Sequence, residues 1–144
     1  MEIQRRAFLK KTGSTFVCLC MAGGEALEAA EKNIVQYAVE DSKFEIDLNW
    51  HPNLKKVGGS ETFQADNKKI IVLHPDENSY KAFENKCTHM GGQVAYSHKD
   101  GFMQCALHGS RFDTEGRVVK GPADKPLTEF RTSLDKNRLT VYLS

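Results

Sequence analysis

The chain has 144 residues, 40% of them hydrophobic and 27% charged, with a formal net charge of +1. These values fit one globular domain with a short appendage and exclude a disordered or fibrous class. Basic residues are scattered rather than striped, which leaves no footprint for nucleic acid.

Residues 1–30 begin with Arg5, Arg6, Lys10 and Lys11, continue with the apolar run Ser14 to Met21, and end rich in Gly and Ala. This is the layout of an export signal. The apolar run is shorter than the roughly 20 residues of a spanning helix, and Glu25 and Glu28 block its extension. Arg5-Arg6-Ala7-Phe8-Leu9-Lys10 resembles the bacterial twin-arginine signal, with Gln4 where that family usually has Ser or Thr. An ordinary Sec signal that carries two arginines is the alternative. The twin-arginine resemblance implies passage of a folded chain to the periplasm, so that a metal cofactor can be loaded first. A signal left uncut would hold the protein at the membrane as a peripheral protein. Leu27-Glu28-Ala29 loosely meets the small-x-small rule and puts cleavage near Ala29 or Ala30. Cys20 is a poor lipidation site, because Val17-Cys18-Leu19 lacks the small residue expected before it. Without Arg5, Arg6, Lys10, Lys11, Glu2, Glu25 and Glu28 the rest of the chain is close to neutral.

Residues 31–43 read as a linker and first strand. From Ile34 onward, short runs of β-branched and aromatic residues alternate with turn signals. The expected strands are Ile34 to Val39, Phe44 to Leu48, Lys69 to His74, Tyr80 to Asn85, Gly101 to Gln104, Arg111 to Asp113, Val118 to Lys120, Phe130 to Leu134 and Leu139 to Leu143. The last two form a hairpin around Asp135-Lys136-Asn137. Pro52 and Gly58-Gly59-Ser60 mark a loop, and no helical period is sustained after residue 31. The expected class is all-β, built of small packed sheets.

Two loops carry the chemistry. Cys87-Thr88-His89-Met90-Gly91-Gly92 follows the strand around Phe83, and Cys105-Ala106-Leu107-His108-Gly109-Ser110 lies between the strands at Phe102 and Phe112. The Gly101 strand can return the chain so that the loop tips meet. Thiolate and imidazole together suit zinc, and also the iron of a mixed-ligand cluster. A Cys2His2 zinc finger pairs cysteine with cysteine and packs on a helix. Here each half-motif has one Cys and one His and no helix follows, so zinc is the second reading.

The pattern resembles the Rieske [2Fe-2S] family, whose motif is C-x-H, a spacer of roughly fifteen to seventeen residues, then C-x-x-H. The spacer here, Met90 to Gln104, is 15 residues. His108-Gly109-Ser110-Arg111-Phe112-Asp113, Gly116, Gly121-Pro122-Ala123 and Pro126-Leu127 match the family's run after its second loop. Val57-Gly58-Gly59 and Phe83 also sit where members have similar residues. The resemblance makes 44–144 a Rieske domain of small stacked antiparallel sheets with a cluster-binding subdomain. It implies one [2Fe-2S] cluster, with Cys87 and Cys105 on one iron and His89 and His108 on the other. Ser110 would donate a hydrogen bond to the cluster. Gly91, Gly92 and Gly109 would aim N–H groups at the sulfurs, and Gly121-Pro122-Ala123 would form a covering third loop. Two Fe(III), two sulfides and two thiolates sum to no net charge, whereas four thiolates would leave the cluster anionic; the neutral cluster is easier to reduce. An imidazole on iron that loses its second proton would lower the potential at alkaline pH.

Members in cytochrome bc-type complexes carry a disulfide between the loops, at the positions of Gly92 and Leu107 here. The resemblance is therefore to the disulfide-lacking, ferredoxin-like type. Phe112 replaces a hydrogen-bonding Tyr of the high-potential branch, which implies an intermediate potential. The expected role is an exported one-electron carrier or electron-transfer subunit without its own substrate site, partnered by a cytochrome, oxidase or reductase subunit. The alternatives are a Rieske subunit of a quinol-oxidising complex, whose usual anchor and hinge look absent, the small subunit of a periplasmic oxidase, and a zinc-stapled binding module. His51, His74 and His98 read as surface histidines and Trp50 as a packing residue. Met90 reads as an apolar shield at the cluster tip and a contact for a partner.

Overall fold

The computed structural model of the chain describes residues 36, 37 and 39–144. The expected export signal, Cys18, Cys20 and the start of the Ile34 to Val39 strand lie outside these residues. Among the described residues the strands are β1 (Gln36–Tyr37), β2 (Lys43–Asp47), β3 (Ser60–Ala65), β4 (Lys68–Asp76), β5 (Ser79–Glu84), β6 (Val94–Ser97), β7 (Phe102–Cys105), β8 (Arg111–Asp113), β9 (Val118–Lys120), β10 (Glu129–Asp135) and β11 (Arg138–Tyr142). A 3-10 turn (Leu48–Trp50) and one turn of helix, α1 (Pro52–Lys55), separate β2 from β3. The fold is all-β, as expected.

Strands β1, β3, β4, β5, β10, β11 and β2 lie side by side in that order, and β6 to β9 form a second sheet. Every pairing is antiparallel except that of β1 on β3. The large sheet curls until its edge strands meet, with the Tyr37 and Phe44 rings 5.6 Å apart.

Strand β4 explains how two cores fit around one wall. Its run Ile70-Ile71-Val72-Leu73 is buried at every position. Side chains alternate across a strand, so Ile70 and Val72 join Phe44, Ile46, Phe63 and Leu139 inside the curled sheet. Ile71 and Leu73 face the other way and join Phe83, Val94, Met103 and Phe112 under the small sheet. A strand covered on both faces reads as a continuous apolar run rather than an alternating one. Each such side chain contributes about 1.5–3 kcal/mol by leaving water. Cys87 and Cys105 belong to the second core.

Two strands escaped the sequence reading. In β3, SETFQA, only Phe63 and Ala65 are buried, and in β6, VAYS, only Val94 is. Both are made by pairing, β3 with β4 and β6 with β7, rather than by their own periodicity. The expected strand end at His74 is also displaced: β4 continues to Asp76 across a register shift, where a proline is tolerated.

Three side chains differ from expectation. His51 is buried, with Nδ1 2.6 Å from Glu61 Oε2 and Nε2 2.7 Å from the Tyr37 hydroxyl. His74 is buried too, stacked on Tyr80 at 4.1 Å, with neither ring nitrogen hydrogen bonded among the described residues. Trp50 is not a packing residue: it is 81% exposed. His98 is exposed, as read.

Candidate metal centre

The two Cys-His loops close by the same backbone bonds. After β5, the Gly91 N–H donates to the Cys87 carbonyl (2.8 Å) and the Cys87 N–H to the Gly92 carbonyl (2.7 Å). After β7, the Gly109 N–H donates to the Cys105 carbonyl (3.1 Å) and the Cys105 N–H to the Ser110 carbonyl (2.8 Å). Gly91 and Gly109 have φ of 75° and 74°, a left-handed conformation that residues with a Cβ adopt at a cost. The expectation that these N–H groups point at cluster sulfurs is corrected for both glycines, because loop closure consumes them.

Closure turns both cysteines inward and both histidines outward. Cys87 and Cys105 are 3% and 1% exposed and are not in a disulfide. His89 and His108 are exposed, with ring centroids 5.0 Å apart and planes near perpendicular. Met90 and Leu107, 67% and 60% exposed, form an apolar rim beside them. Gly92 lies under that rim: a Cβ there would come within 2.7 Å of Leu107 Cδ1 and 2.9 Å of Cys105 Sγ. The loops thus touch where Gly92 and Leu107 stand, and Leu107 fills the room that Gly92 leaves.

The loops are held from three sides. Asn85 Oδ1 accepts the buried Val94 N–H (2.7 Å), and its amide donates to the Thr62 hydroxyl (3.1 Å), tying the first loop to β3. The Thr88 hydroxyl donates to the Lys125 carbonyl (2.7 Å). The third loop contains the cis Gly121-Pro122 bond, and its Ala123 N–H donates to Ser110 Oγ (3.0 Å). Asn85 and Thr88 were missed from sequence. An Asn directly after a strand, with a side chain that can hydrogen-bond nearby backbone, was the available signal. A cleft beside the first loop is lined by Lys86, Cys87, His89, Met90 and Lys125.

The donor set fits a two-iron cluster better than a single ion. Among the described residues no three His, Cys, Asp or Glu side chains converge on one point. A structural zinc site needs four such ligands, whereas a Rieske centre takes two protein ligands per iron. Ser110 is fully buried; its oxygen accepts from Ala123, and its proton has no acceptor among the described residues. A buried hydroxyl in that state suits a sulfur nearby. Phe112, completely buried in the same core, has no hydroxyl to offer. His51, His74 and His98 are not part of this group.

Comparison with known proteins gives one family and a consistent set of likenesses. Residues 50–131, more than half of the chain, match the Rieske [2Fe-2S] domain. The cytochrome b6-f complex iron-sulfur subunit of Chlorobaculum tepidum is 24% identical over 87 residues, which cover 60% of this chain and 48% of that protein. Iron-sulfur subunit 1 of the same complex in a Nostoc species is 41% identical over 81 residues, covering 55% of this chain and 45% of its own length. The chain therefore spans about half the length of these relatives. Among solved structures, the plasma membrane Rieske protein PetC3 from Synechocystis PCC 6803 superposes with a TM-score of 0.55. It is 27% identical, and the match covers 66% of this chain and 90% of that one.

Proposed function

The chain belongs to the Rieske [2Fe-2S] family, and from that premise we propose that it is an exported electron-transfer protein or subunit of the disulfide-lacking, ferredoxin-like type. One [2Fe-2S] cluster is its cofactor, and redox proteins are its partners. The observation that carries the proposal is the pairing of two buried thiols with two exposed imidazoles 5.0 Å apart on loops of matching closure. Cys87 and Cys105 would hold one iron, and His89 and His108 the other.

When bound, the cluster takes up and releases one electron. Burial of Cys87 and Cys105 keeps water from the thiolates. The exposed imidazoles are the shortest way out, so a partner that docks on the rim of Met90 and Leu107 meets them directly. Ser110 would donate its proton to the cluster, and Phe112 would keep its surroundings dry.

Residues 1–30 would be a twin-arginine signal, 31–43 a linker with the first strand, and 44–144 the Rieske domain, acting in the periplasm. Gly92 and Leu107 support the disulfide-lacking type. The partner would be a cytochrome, or an oxidase or reductase subunit. The names of the relatives favour a second reading, the iron-sulfur subunit of a quinol-oxidising complex. Copurification of a cytochrome b with the tagged full chain would favour that reading over a free carrier.

The test is direct. Purified full chain should absorb in the visible, give a rhombic EPR signal on reduction and titrate within roughly −150 to +300 mV. Colourless protein with one zinc per chain overturns the proposal. Ser110→Ala should lower the midpoint and Phe112→Tyr should raise it; if neither moves it, the hydrogen-bond account fails. Replacing Arg5 and Arg6 by lysine should retain the protein in the cytoplasm.

A further inference from the structure

The segment Leu48 to Ser60, LNWHPNLKKVGGS, holds the 3-10 turn and α1 and makes a corner between β2 and β3. Strand β6 begins at Val94, paired with Cys105, and runs to Ser97. The next residue, His98, lies against Gly58, where an added Cβ would fall 2.5 Å from His98 Cγ. From Val94 to His98 the extended chain covers about 13 Å. Leu48 and Leu54 anchor the corner from inside. The Lys55 N–H donates to the His51 carbonyl and the Gly59 N–H to that of Lys56, both at 3.0 Å, which folds the segment tightly.

Outward, the corner shows a different chemistry. Trp50 is 81% exposed, Val57 is 44% exposed, and Lys55 and Lys56 are exposed between them in sequence. No acidic residue occurs from Leu48 to Ser60. Glu61, the next residue, turns inward to His51. Its carboxylate accepts from Nδ1 at 2.6 Å, and Nε2 lies 2.7 Å from the Tyr37 hydroxyl. That contact also ties β1 to the same corner.

We infer that this corner docks the protein on an anionic lipid bilayer, with Trp50 and Val57 in the interface and Lys55 and Lys56 against the headgroups. Tryptophan prefers the membrane-water boundary, and exposed lysines that form no ion pair among the described residues are drawn to an anionic leaflet. In this orientation Cys105, at the other end of β6 from His98, would stand off the bilayer. The orientation rests on the ligand assignment above; the docking does not.

Trp50 is the chain's single tryptophan, so the emission of the full chain reports this corner alone. With vesicles containing phosphatidylglycerol, the emission should shift to the blue and be quenched by brominated acyl chains; with pure phosphatidylcholine it should not. Lys55→Glu combined with Lys56→Glu should weaken the response about tenfold and leave the visible absorption of the cluster unchanged. Sedimentation of the full chain with the vesicles while Trp50 keeps its water-exposed emission overturns the inference. So does a blue shift that follows protein concentration without vesicles, which would assign the corner to a second copy. Loss of the cluster signal with the vesicle response intact would sink the proposed function alone.

Discussion

The loops of Cys87 and Cys105 share a backbone closure and differ in where the histidine stands on it and in how they are supported. Each closes by a glycine four residues after its cysteine, in nearly the same left-handed conformation. Yet the histidine stands second after the cysteine in one loop and third in the other, and the two rings still end 5.0 Å apart. Support differs as well. The first loop depends on side-chain struts, Asn85 and Thr88, whereas the second grows directly from β7 into β8 and is covered through Ser110 by Ala123. Closure is therefore set by glycine position, ligand direction by histidine position, and rigidity by what each loop leaves for its neighbours to satisfy.

The strongest challenge to this equivalence is the cysteines. Cys87→Ser and Cys105→Ser should each abolish visible absorption and iron content, because both thiolates would serve one iron. Retention of the cluster by either variant would break the pairing. Asn85→Ala should separate the loops next. It leaves the buried Val94 N–H and the Thr62 hydroxyl without their partner, a loss of about 1–3 kcal/mol measurable by urea unfolding. Gly92→Ala crowds Leu107 and Cys105, and since Leu107 is exposed and can move, the cost should be about 1 kcal/mol. Adding Leu107→Ala should recover most of it, and strict additivity of the two changes would mean the loops do not touch there.

The smallest effect lies outside both loops and sharpens the comparison by sparing them. Burial, then the charges of Glu61 and Asp47, hold the Tyr37 phenol above its ordinary pKa. The neutral phenol is thus favoured in the folded state. Its contribution is complete below the unfolded value of about 10 and is lost as pH rises through the folded value. Urea midpoints should fall between pH 8 and pH 11 in the parent and fall less in Tyr37→Phe, with cluster absorption equal in both at pH 8.

The candidate ligands were legible because cofactor chemistry constrains residue type and spacing within a short stretch of chain. The struts were less so: Asn85 looks like any strand-ending Asn until Val94 and Thr62 are seen beside it. Strand β3 was invisible for a similar reason, since Ser60, Glu61 and Thr62 carry no apolar alternation and are ordered by β4.

What the sequence determined by itself was the all-β class, the two loops and the mixed order of Cys and His, all properties of local pattern. Tertiary structure alone decided that β4 is covered on both faces, that His51 and His74 are buried, and that Trp50 is exposed. Burial depends on which distant segments pack against a residue. His51 is inside because Tyr37, Glu61 and Phe63 converge on it, and Trp50, one residue earlier, is outside because the turn that carries it points the other way.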